Sequence, residues 1–92
     1  MGFFWLYYRM VSYDAFCLLP HDQQLATVWT AGSFLATRWE EEDAVNLYHV
    51  GRFFVEVYYD PAANAVLLTR AFTSREGLLD YTPSIGLEDL TA

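Results

Sequence analysis

The chain has 92 residues, of which 54% are hydrophobic and 18% aromatic, and a formal charge of −7 from twelve acidic and five basic residues. That length fits one domain near the lower limit for a self-supporting core, and so much apolar side chain excludes a disordered polypeptide. The five basic residues, Arg9, Arg38, Arg52, Arg70 and Arg75, are all separated in sequence, which opposes binding to DNA, RNA or an anionic membrane because phosphate recognition needs clustered positive charge.

Cys17 is the sole cysteine, so neither an internal disulfide nor a Cys-rich zinc site can form, and a cytoplasmic location fits. Residues 1–18 form an apolar N-terminal segment with the potential for an extra strand. Its longest apolar run covers only 3–8, and Arg9, Ser12 and Asp14 break up the rest of the segment, whereas a membrane span needs about 20 mostly apolar residues. Charges inside the segment rather than ahead of it also oppose a secretory signal. Residues 1–9 are either part of the fold or an extension preceding a start at Met10.

Pro20 and Asp22 mark a helix start, Leu25, Val28 and Trp29 recur at helical spacing, and Gly32 supplies a left-handed stop, giving a helix over 20–31. Next comes a meander, with strands over 33–40, 44–50, 52–59 and 65–72. Its connections are too short for parallel pairing, so the sheet is antiparallel. The turns are the acidic run 40–43, Gly51, and the segment 60–64 with Asn64 in the left-handed region. Thr73 and Glu76 match a capping box that opens a second helix carrying Leu78, Leu79 and Tyr81, bent or ended by Pro83 ahead of an irregular tail over 85–90. The fold class is therefore α+β, a helix, a four-stranded antiparallel meander and a helix, in a single domain over 1–92.

A three-residue loop at Val50, Gly51 and Arg52 sets His49 opposite Phe53, Leu47 opposite Val55 and Val45 opposite Val57. That register makes one face nearly pure hydrocarbon, extended by Leu35, Trp39 and Leu67, with both helices packed on it. The other face then carries Phe34, Arg38, Tyr48, Val50, Phe54, Glu56, Tyr58, Val66, Leu68, Arg70 and Phe72. Water-facing strands alternate to polar residues, whereas this face mixes aromatics with an Arg38, Glu56 and Arg70 group, so something must cover it. The candidate covers are the segment 3–8, a second copy of the chain, or another protein.

No catalytic constellation emerges. The acidic run lacks the spacing of a calcium loop and reads as a solvated hairpin tip. His49 reads as structural at the core edge, His21 as exposed, and Cys17 as a buried thiol with no base beside it. The glycines are isolated, so there is no phosphate-binding loop. No cofactor and no metal is expected, and no family resemblance is specific enough to assign residue roles. The chain reads as a small acidic, non-enzymatic interaction module that self-associates as a homodimer through Phe34, Arg38, Tyr48, Phe54, Glu56, Tyr58, Arg70 and Phe72. Two alternatives are an acidic inhibitor or immunity-type protein masking a basic surface, and a ligand-binding domain with a pocket near Trp29, Trp39 and His49.

Overall fold

The computed structural model describes residues 11–81. The run 3–8, the alternative start at Met10, the bend at Pro83 and the tail 85–90 lie outside the described residues. Within the apolar N-terminal segment the described part is helical. Helix α1 spans Tyr13–Leu18, and Ser12 caps it by accepting a hydrogen bond from the Ala15 N–H at 3.1 Å. Six residues are too few to hold a helix alone, so its anchor is the fully buried Phe16.

Helix α2 spans His21–Ala31, and the Pro20 carbonyl accepts from the first-turn N–H groups of Gln23 and Gln24. Gly32 does not take the expected left-handed conformation. Its φ is −86°, and the chain runs straight from α2 into the first strand. Glycine is required there for space, because a Cβ at position 32 would lie 2.6 Å from the Val28 carbonyl oxygen.

The strands are β1 Gly32–Glu40, β2 Asp43–Val50, β3 Phe53–Asp60 and β4 Ala65–Phe72. They form an antiparallel sheet in sequential order, the expected meander. Asn64 is left-handed at φ 51°, as the turn chemistry implies, and Glu41 at the first hairpin tip has φ 57°. The last element is a 3₁₀ helix over Arg75–Tyr81. The Thr73–Glu76 capping box does not form, and the Ser74 hydroxyl accepts the Glu76 N–H instead.

The register between β2 and β3 corrects the expected one. Val50 pairs with Phe53, His49 with Phe54, Tyr48 with Val55 and Leu47 with Glu56, so the loop is the two-residue turn Gly51-Arg52. Gly51 has φ +56° while Arg52 stays at negative φ, the pattern of a II′ turn, whose twist matches that of the flanking strands. Because side chains alternate, this one-residue difference turns all of β2 over relative to the expected faces.

The sheet therefore has two cores. On one side Phe53, Val55 and Val57 of β3 and Val50 of β2 pack against Phe16 of α1 and Val28 of α2. A hydrogen-bond relay ties these layers together: Gln24 Nε2 donates to the Phe16 carbonyl at 3.0 Å, and Thr69 Oγ1 of β4 donates to Gln24 Oε1 at 2.6 Å. On the other side Ala36, Leu47, Phe54 and Phe72 pack against Leu78 and Tyr81 of the 3₁₀ helix. The two helical elements that flank the meander thus lie on opposite faces, where both were expected on one.

Candidate functional site

Glu56 sits at the middle of the second face with none of its surface exposed. Strand pairing places it between Leu47 and Arg70, and Arg38 of β1 reaches it from beyond Val45. Arg70 Nε and Nη2 each lie 2.8 Å from Glu56 Oε1. Arg38 Nε and Nη2 donate to Oε2 at 3.3 and 3.2 Å, and the Tyr81 hydroxyl donates to the same oxygen at 2.6 Å. Arg38 also donates to the Tyr58 hydroxyl at 3.2 Å and to Glu40 at 3.1 Å.

Burial alone would lower the Arg38 guanidinium, but hydrogen bonding to Glu40 and the negative charge of Glu56 hold it above its usual range. Burial likewise works against Arg70, and its hydrogen bonds to Glu56 and Tyr58 together with their negative charges hold it above its usual range. Burial, then the hydrogen bond to Glu56 and its charge, raise the Tyr81 phenol well above 10.0. A carboxylate held between two guanidinium groups and a phenol has its acceptor sites occupied, which suits a structural charge rather than a general base.

Of the expected binding residues, the structure brings Arg38, Phe54, Glu56, Tyr58, Arg70 and Phe72 together on this face. Phe54 and Phe72 stack with ring centroids 5.5 Å apart, and both are buried. The cover is the chain's own 3₁₀ segment, which was not among the expected candidates. Phe34 and Tyr48 lie on the helix side instead, in edge contact at 5.7 Å. Cys17 is exposed rather than buried. The expected ligand pocket does not assemble, because His49 stacks on Phe54 on one face while Trp29 and Trp39 stand on the other. A cleft of about 620 Å³ lies elsewhere, lined by Val11, Tyr13, Arg52, Phe53 and Thr73 among others. Among the described residues no group of His, Cys, Asp and Glu is placed to hold a metal ion.

A second surface emerges from the corrected register. The β1 ladder shifts between Phe34 and Ala36, so Leu35 is an inserted bulge residue. In a regular strand Phe34 and Trp39 would point to opposite faces, and the bulge places both on the helix side. There Trp29, at the end of α2, meets Tyr48 edge-on at 5.6 Å, and Tyr48 meets Phe34. Trp39 stands farther along β1, beyond a Thr37–Asn46 hydrogen bond of 2.6 Å. Trp29, Phe34 and Trp39 are 56%, 58% and 63% exposed.

Sequence reasoning set Trp29 and Trp39 beside a pocket rather than on an exposed patch, and did not place Leu78 and Tyr81 over Glu56. The Gly51-Arg52 dipeptide was the available signal for the two-residue turn, and with it for the faces. Compared with protein-family models, curated proteins and solved structures, the chain matches none. Among the described residues no helix is long and apolar enough to cross a membrane.

Proposed function

We propose that this protein is a non-enzymatic, cytoplasmic interaction module that self-associates as a homodimer through the Trp29, Phe34, Tyr48 and Trp39 surface on the helix side of its sheet. The observation that carries this reading is the exposure of three large aromatic side chains on the helix side of the sheet, Trp29 of α2 and Phe34 and Trp39 of β1. They leave on the order of 400 Å² of aromatic surface in water, since each ring side chain presents roughly 150–250 Å². One partner in a stable interface contributes about 800 Å², so the patch supplies about half and its polar surroundings the rest. Aromatic side chains of this kind are the usual anchors of protein interfaces.

The contact is made by side chains rather than by extending the sheet. Both outer strands carry a bulge, β1 at Leu35 and β4 at Leu67, and bulges twist an edge away from further pairing. Phe54 and Glu56 no longer belong to the proposed contact, because Leu78 and Tyr81 already cover them. Sedimentation equilibrium of the native chain and of a Phe34→Lys/Trp39→Lys variant tests the reading. A dimer that becomes a folded monomer supports it, and an unchanged mass on a folded variant refutes it.

A second reading, an acidic inhibitor masking a basic surface, is favoured by the hairpin tip, where Glu40, Glu41 and Glu42 are exposed side by side. Such a tip attracts a basic partner at long range.

A further inference from the structure

The cleft of about 620 Å³ opens at the end of the sheet, where the β2–β3 turn, the chain ahead of α1 and the exit of β4 converge. Each wall comes from a different element. The chain ahead of α1 crosses the turn closely enough that a Cβ on Gly51 would lie 3.9 Å from the Val11 carbonyl oxygen. Tyr13, the first residue of α1, meets Phe53 edge-on at 6.0 Å. Because Phe54 pairs with Phe72, the following residue, Thr73, comes alongside Phe53. Arg52 joins them from the turn.

This wall differs in charge from the rest of the molecule. The chain holds twelve acidic and five basic residues, yet the described wall contains one arginine and no acidic residue. Arg38 and Arg70 are bound to Glu56, whereas Arg52 is exposed and joins no salt bridge among the described residues. The acidic hairpin tip stands at the far end of β2, about 26 Å away at roughly 3.3 Å per residue. That is about three Debye lengths at about 0.15 M salt, so the tip does not cancel the attraction of Arg52 for an anion.

Clefts that take small molecules measure about 300–1,000 Å³ and combine mostly apolar walls with a few polar groups that fix orientation. Val11, Tyr13 and Phe53 supply the first, and Arg52 with the Thr73 hydroxyl supplies the second. A guanidinium is a planar fork that matches a carboxylate through two parallel N–H···O bonds. We propose that this cleft binds a small aromatic carboxylate, its ring against Val11, Tyr13 and Phe53 and its carboxylate on Arg52 and Thr73. The inference makes no use of the Trp29, Phe34 and Trp39 patch, none of which lines the cleft.

The test uses the full chain with diphenylacetate as probe and diphenylacetamide as its uncharged counterpart of the same shape. In heteronuclear NMR the acid should shift the amide signals of Gly51, Arg52, Phe53 and Thr73 saturably, and it should raise the thermal midpoint as its concentration rises. The amide should bind about tenfold more weakly or worse, the size expected for losing hydrogen bonds to a charged group. Arg52→Gln should weaken the acid by a similar factor and leave the urea midpoint unchanged, since Arg52 is exposed. If that variant fails to fold, the comparison of acid with amide on the native chain decides alone. Absence of saturable binding at millimolar acid overturns the proposal, as does equal affinity for acid and amide. Saturation that moves only the signals of Trp29, Phe34 and Trp39 also overturns it, because the probe then sits on the aromatic patch.

Discussion

Glu56 shows how a small chain keeps a charge in its interior. Desolvating a carboxylate is costly, and the attraction of a counter-ion offsets that cost only when the remaining lone pairs are also bonded. Here Arg70 occupies one oxygen, and Arg38 and Tyr81 occupy the other. Tyr81 is the partner that can be changed with least disturbance, since phenylalanine keeps the ring and removes the donor. Tyr81→Phe should lower stability by about 1.5–3 kcal/mol, the range for a hydrogen bond to a charged group, measured as urea unfolding at neutral pH. The same bond sets a pH dependence. Tyr81 is raised above its ordinary value of 10.0, first by burial and then by Glu56. Below 10.0 both folded and unfolded chains keep the proton, and the contribution is complete. Above it the unfolded chain releases the proton first and so binds fewer, and stability falls as pH rises. The urea midpoint should decline beyond pH 10.0, less steeply in Tyr81→Phe, with burial of Tyr48 contributing part of the remaining slope.

Among the elements, the hairpin turn at Gly51 decides the most. Its φ of +56° is one that L side chains adopt only with strain, so Gly51→Ala should cost about 1–3 kcal/mol in urea unfolding while leaving the strand content of the circular dichroism spectrum unchanged. The strands themselves were legible, because β-branched and aromatic runs between turn residues leave few alternatives, and the observed bounds fall within one residue of the expected ones. The faces were less legible. Register depends on turn length, and choosing three residues over two inverted β2. The apparent purity of the resulting apolar face favoured that choice because this chain is apolar on both sides of its sheet. The bulge at Leu35 was not legible at all, since Phe34, Leu35 and Ala36 read as an ordinary strand, yet it brings Phe34 and Trp39 to one side and sends Arg38 to the other. Of the candidate site, the Arg38, Glu56 and Arg70 cluster was visible from alternation along the strands. Tyr81 was not, because its partner lies 25 residues away through a tertiary contact.

At the scale of the whole molecule, charge and apolar surface act against each other. Arg38 is turned inward against Glu56 while Arg70 stays half exposed, so the outer surface carries about the full formal charge of −7. Two such molecules repel as they approach, while the aromatic contact between them is not weakened by salt. Raising sodium chloride from about 0.01 M to about 1 M shortens the Debye length from roughly 30 Å to roughly 3 Å and removes most of that repulsion. Self-association should therefore strengthen with salt, seen as a rising weight-average mass in sedimentation equilibrium. Capture of a basic partner has the opposite slope, since there the long-range term is attractive and screening weakens it. The sign of the salt dependence thus separates the two readings on a single preparation. A mass that falls as salt rises would mean that the acidic tip, and not the aromatic patch, governs what this chain binds.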